Sequence, residues 1–247
     1  MNLKIVFSDF DGTLTLENKQ LTPSFFEILS HLKQYDQELV IVSGRSVSWG
    51  HFFLTHFNEL NYAIMEGGGV ILKRDKIGYI EEYPLVEAGE LQHLEDVTEE
   101  LERVFPKCPL SVDSFGRLTD RAIEFELMQD EEINQVIQFL NSKKINYSKS
   151  NVHINFWSGE ISKYLGVKRF LDDFRPDVSM EQSVFFGDAP NDQSMFELFE
   201  HSVGVSNIKH CLNRLTHKPR IILEGDENAG PLGVLNYVKK FNLSRSN

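Results

Sequence analysis

The chain has 247 residues, of which 41% are hydrophobic and 25% are charged, and its formal net charge is −12. This length can form one large core or a core with a smaller domain, and we expect two domains. The acidic balance disfavours nucleic acid or an anionic membrane as a partner, because both reward basic patches.

Three further features bear on where the protein works. No segment approaches the roughly 18 apolar residues that span a bilayer. The apolar run before Asp9 is too short, and the segment is too acidic, for a secretory signal. The two cysteines, Cys108 and Cys211, lack the spacing of a metal site. We therefore expect a cytoplasmic protein in a reducing environment.

Four short apolar runs end in polar or glycine-rich turns and predict strands buried on both faces. They are LKIVFSDFDGT, ELVIVSGR, YAIMEGGG and QSVFFGDAPND. Amphipathic stretches of helical period lie between them, such as residues 22–35, where Thr22 precedes Pro23 in the order of an N-cap and first helical residue. Strands that alternate with helices predict a parallel sheet, and hence an α/β fold.

Ligands of open parallel sheets bind beyond the carboxyl ends of the strands. Asp9, Asp11, Ser43 and Asp188 all follow predicted strands and can therefore meet in one site. Asp9 and Asp11 are two residues apart, so their side chains can address one point if the segment is extended. Two carboxylates held close together require a cation or hydrogen-bond donors to compensate them.

Residues 84–157 have a different pattern. Helix-like 88–105, strand-like 110–115 and 121–127, helix-like 130–143 and strand-like 145–149 and 152–157 give the order αββαββ. Such a segment predicts an antiparallel sheet with helices on one face, which is an inserted α+β domain.

The α/β alternation resumes after residue 157, with a helix-like segment at 161–174, a strand at SVFFGD, a helix at NDQSMFELF, a strand at HSVGVS and a closing helix at GPLGVLNYVKKF. We expect a Rossmann-like parallel core formed by residues 1–83 and 158–247, interrupted by the 84–157 insertion. The stretches EEYP and WSGE are the candidate crossings between the two.

Four motifs occur in order along the chain: DFDGT, the serine of IVSGR, the lysine of ISK, and GDAPND. Together they resemble the motifs of the haloacid dehalogenase superfamily, and the resemblance covers nearly the whole chain. The inserted segment is similar to the type 2, subtype B cap of that superfamily. The resemblance places the chain near phosphatases of trehalose 6-phosphate, sucrose 6-phosphate and mannosyl-3-phosphoglycerate.

The resemblance implies catalytic roles for the first two aspartates. Asp9 would be the nucleophile, since a carboxylate can form an acyl phosphate and divide one difficult displacement into two. Asp11 would protonate the leaving alkoxide and then take a proton from the attacking water. A halide needs no proton on leaving, so the presence of Asp11 favours a phosphate ester as substrate.

Four residues are expected to bind the phosphoryl group. Thr13 can offer its hydroxyl, Ser43 can donate to a phosphoryl oxygen, and the amides at Gly44 and the turn around it add neutral donors. Lys163 would hold the phosphoryl group as a point cation. As an isolated residue, Ser43 could equally be a helix N-cap.

The resemblance also implies Mg²⁺ as cofactor. Its ligands would come from Asp9, Asp11 through its backbone carbonyl, and Asp188, with Asp192 as a further ligand or an anchor. Asn191 would support this group by orienting ligands, water or Lys163.

The chain departs from the superfamily pattern after its third strand. Related enzymes often have Asn-Gly there, whereas this chain reads EGGG and places Gly67 where the asparagine would be. The change affects substrate orientation and not the chemistry. Arg45 is an equally good candidate for contacting the substrate or for covering a helix end.

The run DSFGRLTDRAIEFE in the predicted cap is the candidate contact for the leaving group. Arg117, Asp120, Arg121 and His153 are the residues that we expect to touch it. A solvated hairpin is an equally good interpretation of this run, because hairpin turns are usually polar.

The sequence thus predicts a phosphatase that acts on a small phosphate ester, with a sugar or polyol phosphate as the leading candidate. A phosphosugar mutase of the same superfamily is the first alternative, since mutases also keep both aspartates. A phosphometabolite-binding protein without activity is a third interpretation, but it would be expected to lack Asp9 or Asp188. The specific substrate and the oligomeric state are not determined by the sequence, because loops select the substrate.

Overall fold

The computed structural model describes residues 2–124, 128–149 and 153–244. Its strands are β1 (Ile5–Ser8), β2 (Glu38–Val42), β3 (Tyr62–Met65), β4 (Val70–Arg74), β5 (Ile80–Pro84), β6 (Arg121–Glu124), β7 (Asn146–Lys149), β8 (His153–Trp157), β9 (Ser183–Gly187), β10 (Ser202–Gly204) and β11 (Ile221–Ile222). Its α-helices are α1 (Pro23–Gln34), α2 (Val47–His56), α3 (Ala88–Val104), α4 (Asp130–Ser142), α5 (Lys163–Phe174), α6 (Gln193–Leu198) and α7 (Gly230–Leu243).

The larger sheet has the strand order β11-β10-β9-β1-β2-β3-β4-β5. The strands from β11 to β3 are parallel, while β4 and β5 add antiparallel pairs at one edge. The four apolar runs form β1, β2, β3 and β9, so the predicted α/β fold is confirmed. The antiparallel β4–β5 extension was not predicted.

Helices cover both faces of this sheet. Successive side chains of β1 point to opposite faces, so that Val6 joins the core under α1, α2 and α7, whereas Ile5 and Phe7 join the core under α5 and α6. All three side chains are fully buried. The central strand is therefore fixed from both sides, which holds its carboxyl end in place.

Helix α1 begins where the sequence predicted, with Thr22 at the N-cap and Pro23 as its first residue. The Thr22 side chain does not cap the helix, however, and its hydroxyl is buried without a hydrogen-bond partner among the described residues. Pro23 has no amide hydrogen, so one fewer donor at the start of the helix needs a cap. The start of α1 therefore depends on Pro23 and not on a side-chain cap.

Segment 84–157 contains a second sheet with the order β6-β8-β7, in which both pairs are antiparallel. Apolar residues of α3 and α4 pack on one face of this sheet against Ile123, Ile154 and Phe156. This arrangement fits an inserted α+β domain, whose boundaries at residues 84 and 157 stay a prediction.

Two details of this segment differ from the predicted pattern. The strand expected at 110–115 is reduced to one bridge between Leu110 and Ile123, followed by a 3₁₀ turn at Val112–Gly116. The Ser114 hydroxyl accepts from the Ala122 amide at 3.0 Å and donates to the Ala122 carbonyl at 3.1 Å, a carbonyl that the Ser111 amide also bonds at 2.7 Å. A side chain therefore occupies the Ala122 amide that a longer strand pair would bond with backbone. The stretch EEYP is not a linker but lies within β5.

Candidate active site

The candidate site lies at the carboxyl edge of the larger sheet. Asp9 and Asp11 follow β1, Ser43 follows β2, and Asp188 follows β9. Because β2, β1 and β9 are parallel neighbours, their carboxyl ends meet at one edge. A cavity of about 810 Å³ opens there between this edge and the 84–157 segment.

Lys163 joins two of the aspartates. It is the first residue of α5, and its Nζ lies 2.6 Å from Oδ1 of Asp9 and 2.7 Å from Oδ1 of Asp192. Only 2% of its surface is exposed. Burial alone would lower the pKa of Lys163, but the charges of Asp192 and Asp9 outweigh burial and raise it. Lys163 is therefore a fixed positive charge.

Asp188 completes a compact acidic cluster with Asp9 and Asp192, in which one carboxylate oxygen from each lies within 4.8 Å of the others. Burial, followed by the charges of Asp9 and Asp192, raises the pKa of Asp188 to about 8. Burial also raises the pKa of Asp9 to about 7, although Lys163 opposes the shift. Both carboxylates therefore resist carrying a charge unless a further cation is present.

Neighbouring side chains hold Asp188 in this cluster. The Thr13 hydroxyl donates to its Oδ1 at 2.9 Å, and the Asn207 amide donates to its Oδ2 at 2.9 Å and to the Gly12 carbonyl at 3.0 Å. Gly12 has a φ of +83°, and a Cβ there would lie 2.4 Å from Oδ2 of Asp188. Only glycine permits this close approach.

Asp192 is completely buried and its oxygens are already engaged. Its Oδ2 accepts the amides of Asp188 and Ala189 at 3.0 and 3.1 Å, while Oδ1 accepts Lys163. These contacts fit an anchor that fixes Asp188 and Lys163 better than a metal ligand.

The oxygens of Asp9 and Asp188 fit a divalent cation. Mg²⁺ prefers one or two carboxylates together with water and phosphate oxygens. A cation beside these two groups would offset the burial and the carboxylate repulsion that raise their pKa values. The Asp11 carboxylate points elsewhere, so a contribution from Asp11 would have to come from its backbone carbonyl.

Asp11 instead pairs with Arg45. The guanidinium donates from Nε at 2.7 Å and from Nη2 at 2.6 Å to the two carboxylate oxygens of Asp11. Its central carbon lies 3.8 Å from the ring centroid of Trp49, which stacks beneath it. Arg45 therefore lines the cavity next to Asp11, which favours the first of its two sequence-based interpretations.

The residues expected to bind phosphate fall into two groups. Ser43, Gly44 and Lys163 line the cavity, as does the supporting residue Asn191. Thr13 is fully buried and is engaged by Asp188, so its hydroxyl acts on the acidic cluster and does not line the cavity.

Arg117 and Asp120 of the predicted cap reach the same cavity. Nη1 of Arg117 contacts both oxygens of Asp120 at 2.7 and 2.8 Å, and Nη2 contacts Asp113 at 3.0 Å. Burial raises the pKa of Asp120 to about 7, opposed by Arg117 and reinforced by Glu66.

The other two cap candidates are placed differently. Arg121 donates to Glu95 of α3 at 3.1 Å and to two backbone carbonyls, and it is not among the residues that line the cavity. It therefore supports the loop that precedes it, and we no longer expect it to contact the substrate. His153 begins β8, and its side chain lies outside the described part of the chain.

Several cavity or supporting residues were missed from the sequence. Asn155, Ser148 and Trp157 line the cavity from the smaller sheet. The alternation of polar and apolar residues in HINFW was a usable signal, since it puts Asn155 and Trp157 on the face opposite Ile154 and Phe156. Glu66 and Asn207 carried no such signal.

Comparisons with known proteins show which proteins this chain resembles. A family model described as haloacid dehalogenase-like hydrolase matches residues 6–101 and 91–218. A protein of Methanobrevibacter smithii named phosphoglycolate phosphatase is 24% identical over 219 residues, covering 87% of this chain and 90% of that protein.

Solved structures share the fold. Thermoplasma acidophilum 0175 aligns with a TM-score of 0.72 at 16% identity, covering 98% of this chain and 100% of that one. A haloacid dehalogenase-like hydrolase of Bacteroides thetaiotaomicron aligns with a TM-score of 0.71 at 18% identity, covering 96% and 99%. None of the described helices is long and apolar enough to cross a membrane.

Proposed function

Because the chain belongs to the haloacid dehalogenase-like hydrolases, we propose that it is a Mg²⁺-dependent phosphatase of a small sugar or polyol phosphate. The observation that carries the proposal is the contact of Lys163 with Asp9, 2.6 Å apart, beside the acidic cluster. A fixed cation against a buried carboxylate, next to a site for a divalent ion, suits attack on a phosphate dianion.

In the proposed reaction, a carboxylate oxygen of Asp9 attacks phosphorus and forms an aspartyl phosphate, while the bond from phosphorus to the ester oxygen breaks. Asp11 gives its proton to the departing alkoxide and later takes one from the water that attacks the aspartyl phosphate. Lys163 orients Asp9 through Oδ1 and offsets the charge on the phosphoryl oxygens. Mg²⁺, held by Asp9 and Asp188, would supply further positive charge at the phosphate.

Arg45 is suited to hold Asp11 at the cavity. Its two hydrogen bonds fix both oxygens of Asp11, and the Trp49 ring limits where the guanidinium can move. A proton donor must lie within hydrogen-bond reach of the leaving oxygen and must carry a proton, so the role proposed for Asp11 requires one of its oxygens to leave Arg45 and take up a proton before the ester bond breaks.

The walls of the cavity favour a hydroxyl-rich leaving group. Asn155, Ser148 and Asp120 offer donors and acceptors that match sugar hydroxyls, and Trp157 adds an aromatic surface. The guanidinium of Arg117 is already shared between Asp113 and Asp120. A leaving group that bound Arg117 through its own carboxylate would have to displace one of these aspartates, although Lys19 and Arg214 also line the cavity.

A phosphate-release screen tests the proposal. Purified protein with Mg²⁺ is assayed against sugar phosphates, polyol phosphates, phosphoglycolate and 3-phosphoglycerate. We expect the highest kcat/KM among the sugar and polyol phosphates. Preference for the two carboxylate-bearing esters would contradict the substrate class, and no phosphate release from any ester would contradict the function.

The contribution of the smaller sheet can be measured by replacing Asn155 with Ala. One lost hydrogen bond to a polyol leaving group should lower kcat/KM by about tenfold, whereas phenyl phosphate, which has no hydroxyls to bond, should be hydrolysed as before. Asn146→Ala is the matched control, because Asn146 lies in the adjacent strand and donates to the Gly159 carbonyl outside the cavity lining. Equal effects of Asn155→Ala on both esters would exclude Asn155 from the leaving-group site.

A further inference from the structure

Glu66 combines two unfavourable properties. It follows β3 at the start of the EGGG turn, only 1% of it is exposed, and its φ of 54° lies in the left-handed region. A buried carboxylate and a non-glycine residue with this backbone conformation both cost free energy. Such a residue persists only where the surrounding contacts compensate for it.

The compensating contacts come from two segments that are distant in sequence. Oε2 accepts the backbone amide and the hydroxyl of Thr119, both at 2.7 Å, and the Leu118 amide lies 3.0 and 3.1 Å from the two oxygens. Oε1 also accepts the amide of Val47, the first residue of α2, at 3.2 Å. These bonds fill the acceptor capacity of a carboxylate, which is about four sites.

The segments that Glu66 joins both line the cavity. Helix α2 continues from the turn that carries Ser43, Gly44 and Arg45, and the loop 113–120 presents Arg117 and Asp120. The described contacts include one other hydrogen bond from this loop to the β2–α2 turn, from Arg117 to the Gly44 carbonyl at 3.2 Å. Glu66 makes the shorter and more numerous bonds.

The glycines after Glu66 permit this arrangement. A Cβ on Gly69 would lie 2.1 Å from the Thr119 hydroxyl, and a Cβ on Gly68 would lie 2.1 Å from the Ser162 carbonyl, just before Lys163. The turn therefore packs directly against loop 113–120 on one side and against the start of α5 on the other. Gly68 and Gly69 have this packing role, whereas a Cβ on Gly67, which stands where the asparagine was expected, would lie 4.0 Å from its nearest neighbour.

We infer that Glu66 is a positioning residue whose buried carboxylate fixes loop 113–120 over the acidic cluster, and so sets where Arg117 and Asp120 meet the leaving group. The effect on catalysis rests on the proposed function, whereas the hold on the loop does not. Glu66 touches no reacting atom in this scheme and acts through the loop alone.

Hydrogen–deuterium exchange of the full chain tests the hold directly. In Glu66→Gln the side-chain NH₂ faces amide donors, and exchange within residues 117–120 should rise by at least about tenfold. Thr119→Val removes one hydroxyl bond without changing the turn and should raise the same exchange by a smaller factor. Glu82→Gln is the control, since Glu82 of β5 bonds His51 of α2 and makes no described contact with loop 113–120, and it should leave exchange in 117–120 unchanged.

Unchanged exchange in 117–120 for both Glu66→Gln and Thr119→Val would overturn the inference. If Glu66→Gln raises exchange in β1 and β9 as well, this variant destabilises the whole protein, and Thr119→Val then decides. A rise in exchange confined to 117–120 in Thr119→Val supports the inference, and no rise there overturns it.

Kinetics separate positioning from a merely structural role. For Glu66→Gln, kcat/KM for glucose 6-phosphate should fall by up to about 100-fold, while that for phenyl phosphate changes little. Equal losses on both esters would overturn the positioning role. The expected exchange result in a protein that releases phosphate from none of the screened esters would overturn the proposed function and still support the hold of Glu66 on the loop.

Discussion

Asp9→Asn should reduce kcat by on the order of 10⁴-fold or more and leave the fold intact. The amide has nearly the same shape as the carboxylate, but it is a far poorer nucleophile and cannot form the acyl phosphate. The fold should survive because the variant removes a charge from a buried cluster that already raises the pKa of Asp9 to about 7. Phosphate release and urea unfolding measure the two effects.

Asp36→Asn is the matched control. Asp36 is exposed, pairs only loosely with Lys4 at 3.7 Å, and has a positive φ that asparagine tolerates well. Its kcat should equal that of the unaltered protein. An Asp9→Asn variant with near-normal kcat would contradict the aspartyl phosphate mechanism, whereas a variant that fails to fold would contradict our account of the cluster's energetics.

Much of the larger sheet could be predicted because local patterns determine it. The runs around Val6, Leu39 and Phe185 are apolar on both faces, as buried parallel strands require. Once β1, β2 and β9 are neighbours, the residues that follow them must converge. The meeting of Asp9 and Asp188 was therefore foreseeable, although the sequence alone could not give distances.

The remaining features depend on contacts between distant segments. The Ser114 hydroxyl bonds the amide and the carbonyl of Ala122, so residues 110–115 keep a single bridge in place of a strand despite an alternating pattern. Glu66 resembles any polar residue in a turn until Thr119 is brought against it from 53 positions away. Arg121 was a reasonable candidate by charge, yet its neighbour Asp120 faces the cavity while Arg121 bonds to α3.

Removal of divalent metal should abolish activity, and Mg²⁺ should restore it. Without a metal, Asp9 and Asp188 would face a phosphate dianion with Lys163, which contacts Asp9 and Asp192, as the neighbouring cation. Burial, followed by the charges of nearby carboxylates, already raises the pKa of both groups. Ca²⁺ should not substitute, because its larger and more flexible coordination can accept a bidentate carboxylate and displace the attacking oxygen of Asp9. Phosphate release after EDTA treatment, and after addition of each ion, measures this.

A second measurement does not depend on turnover. Mg²⁺ that binds only the folded protein stabilises it by about 2.7 kcal/mol at 100 times its Kd, so Tm should rise with Mg²⁺ concentration. Asp188→Asn should remove most of this rise, whereas Asp172→Asn should preserve it, since Asp172 is an exposed partner of Lys168 on α5. A Mg²⁺-dependent rise in Tm that Asp188→Asn leaves unchanged would show that the acidic cluster is not the metal site. Full activity in EDTA would show that the reaction needs no metal, because the charge of Lys163 alone would then suffice for the phosphoryl group.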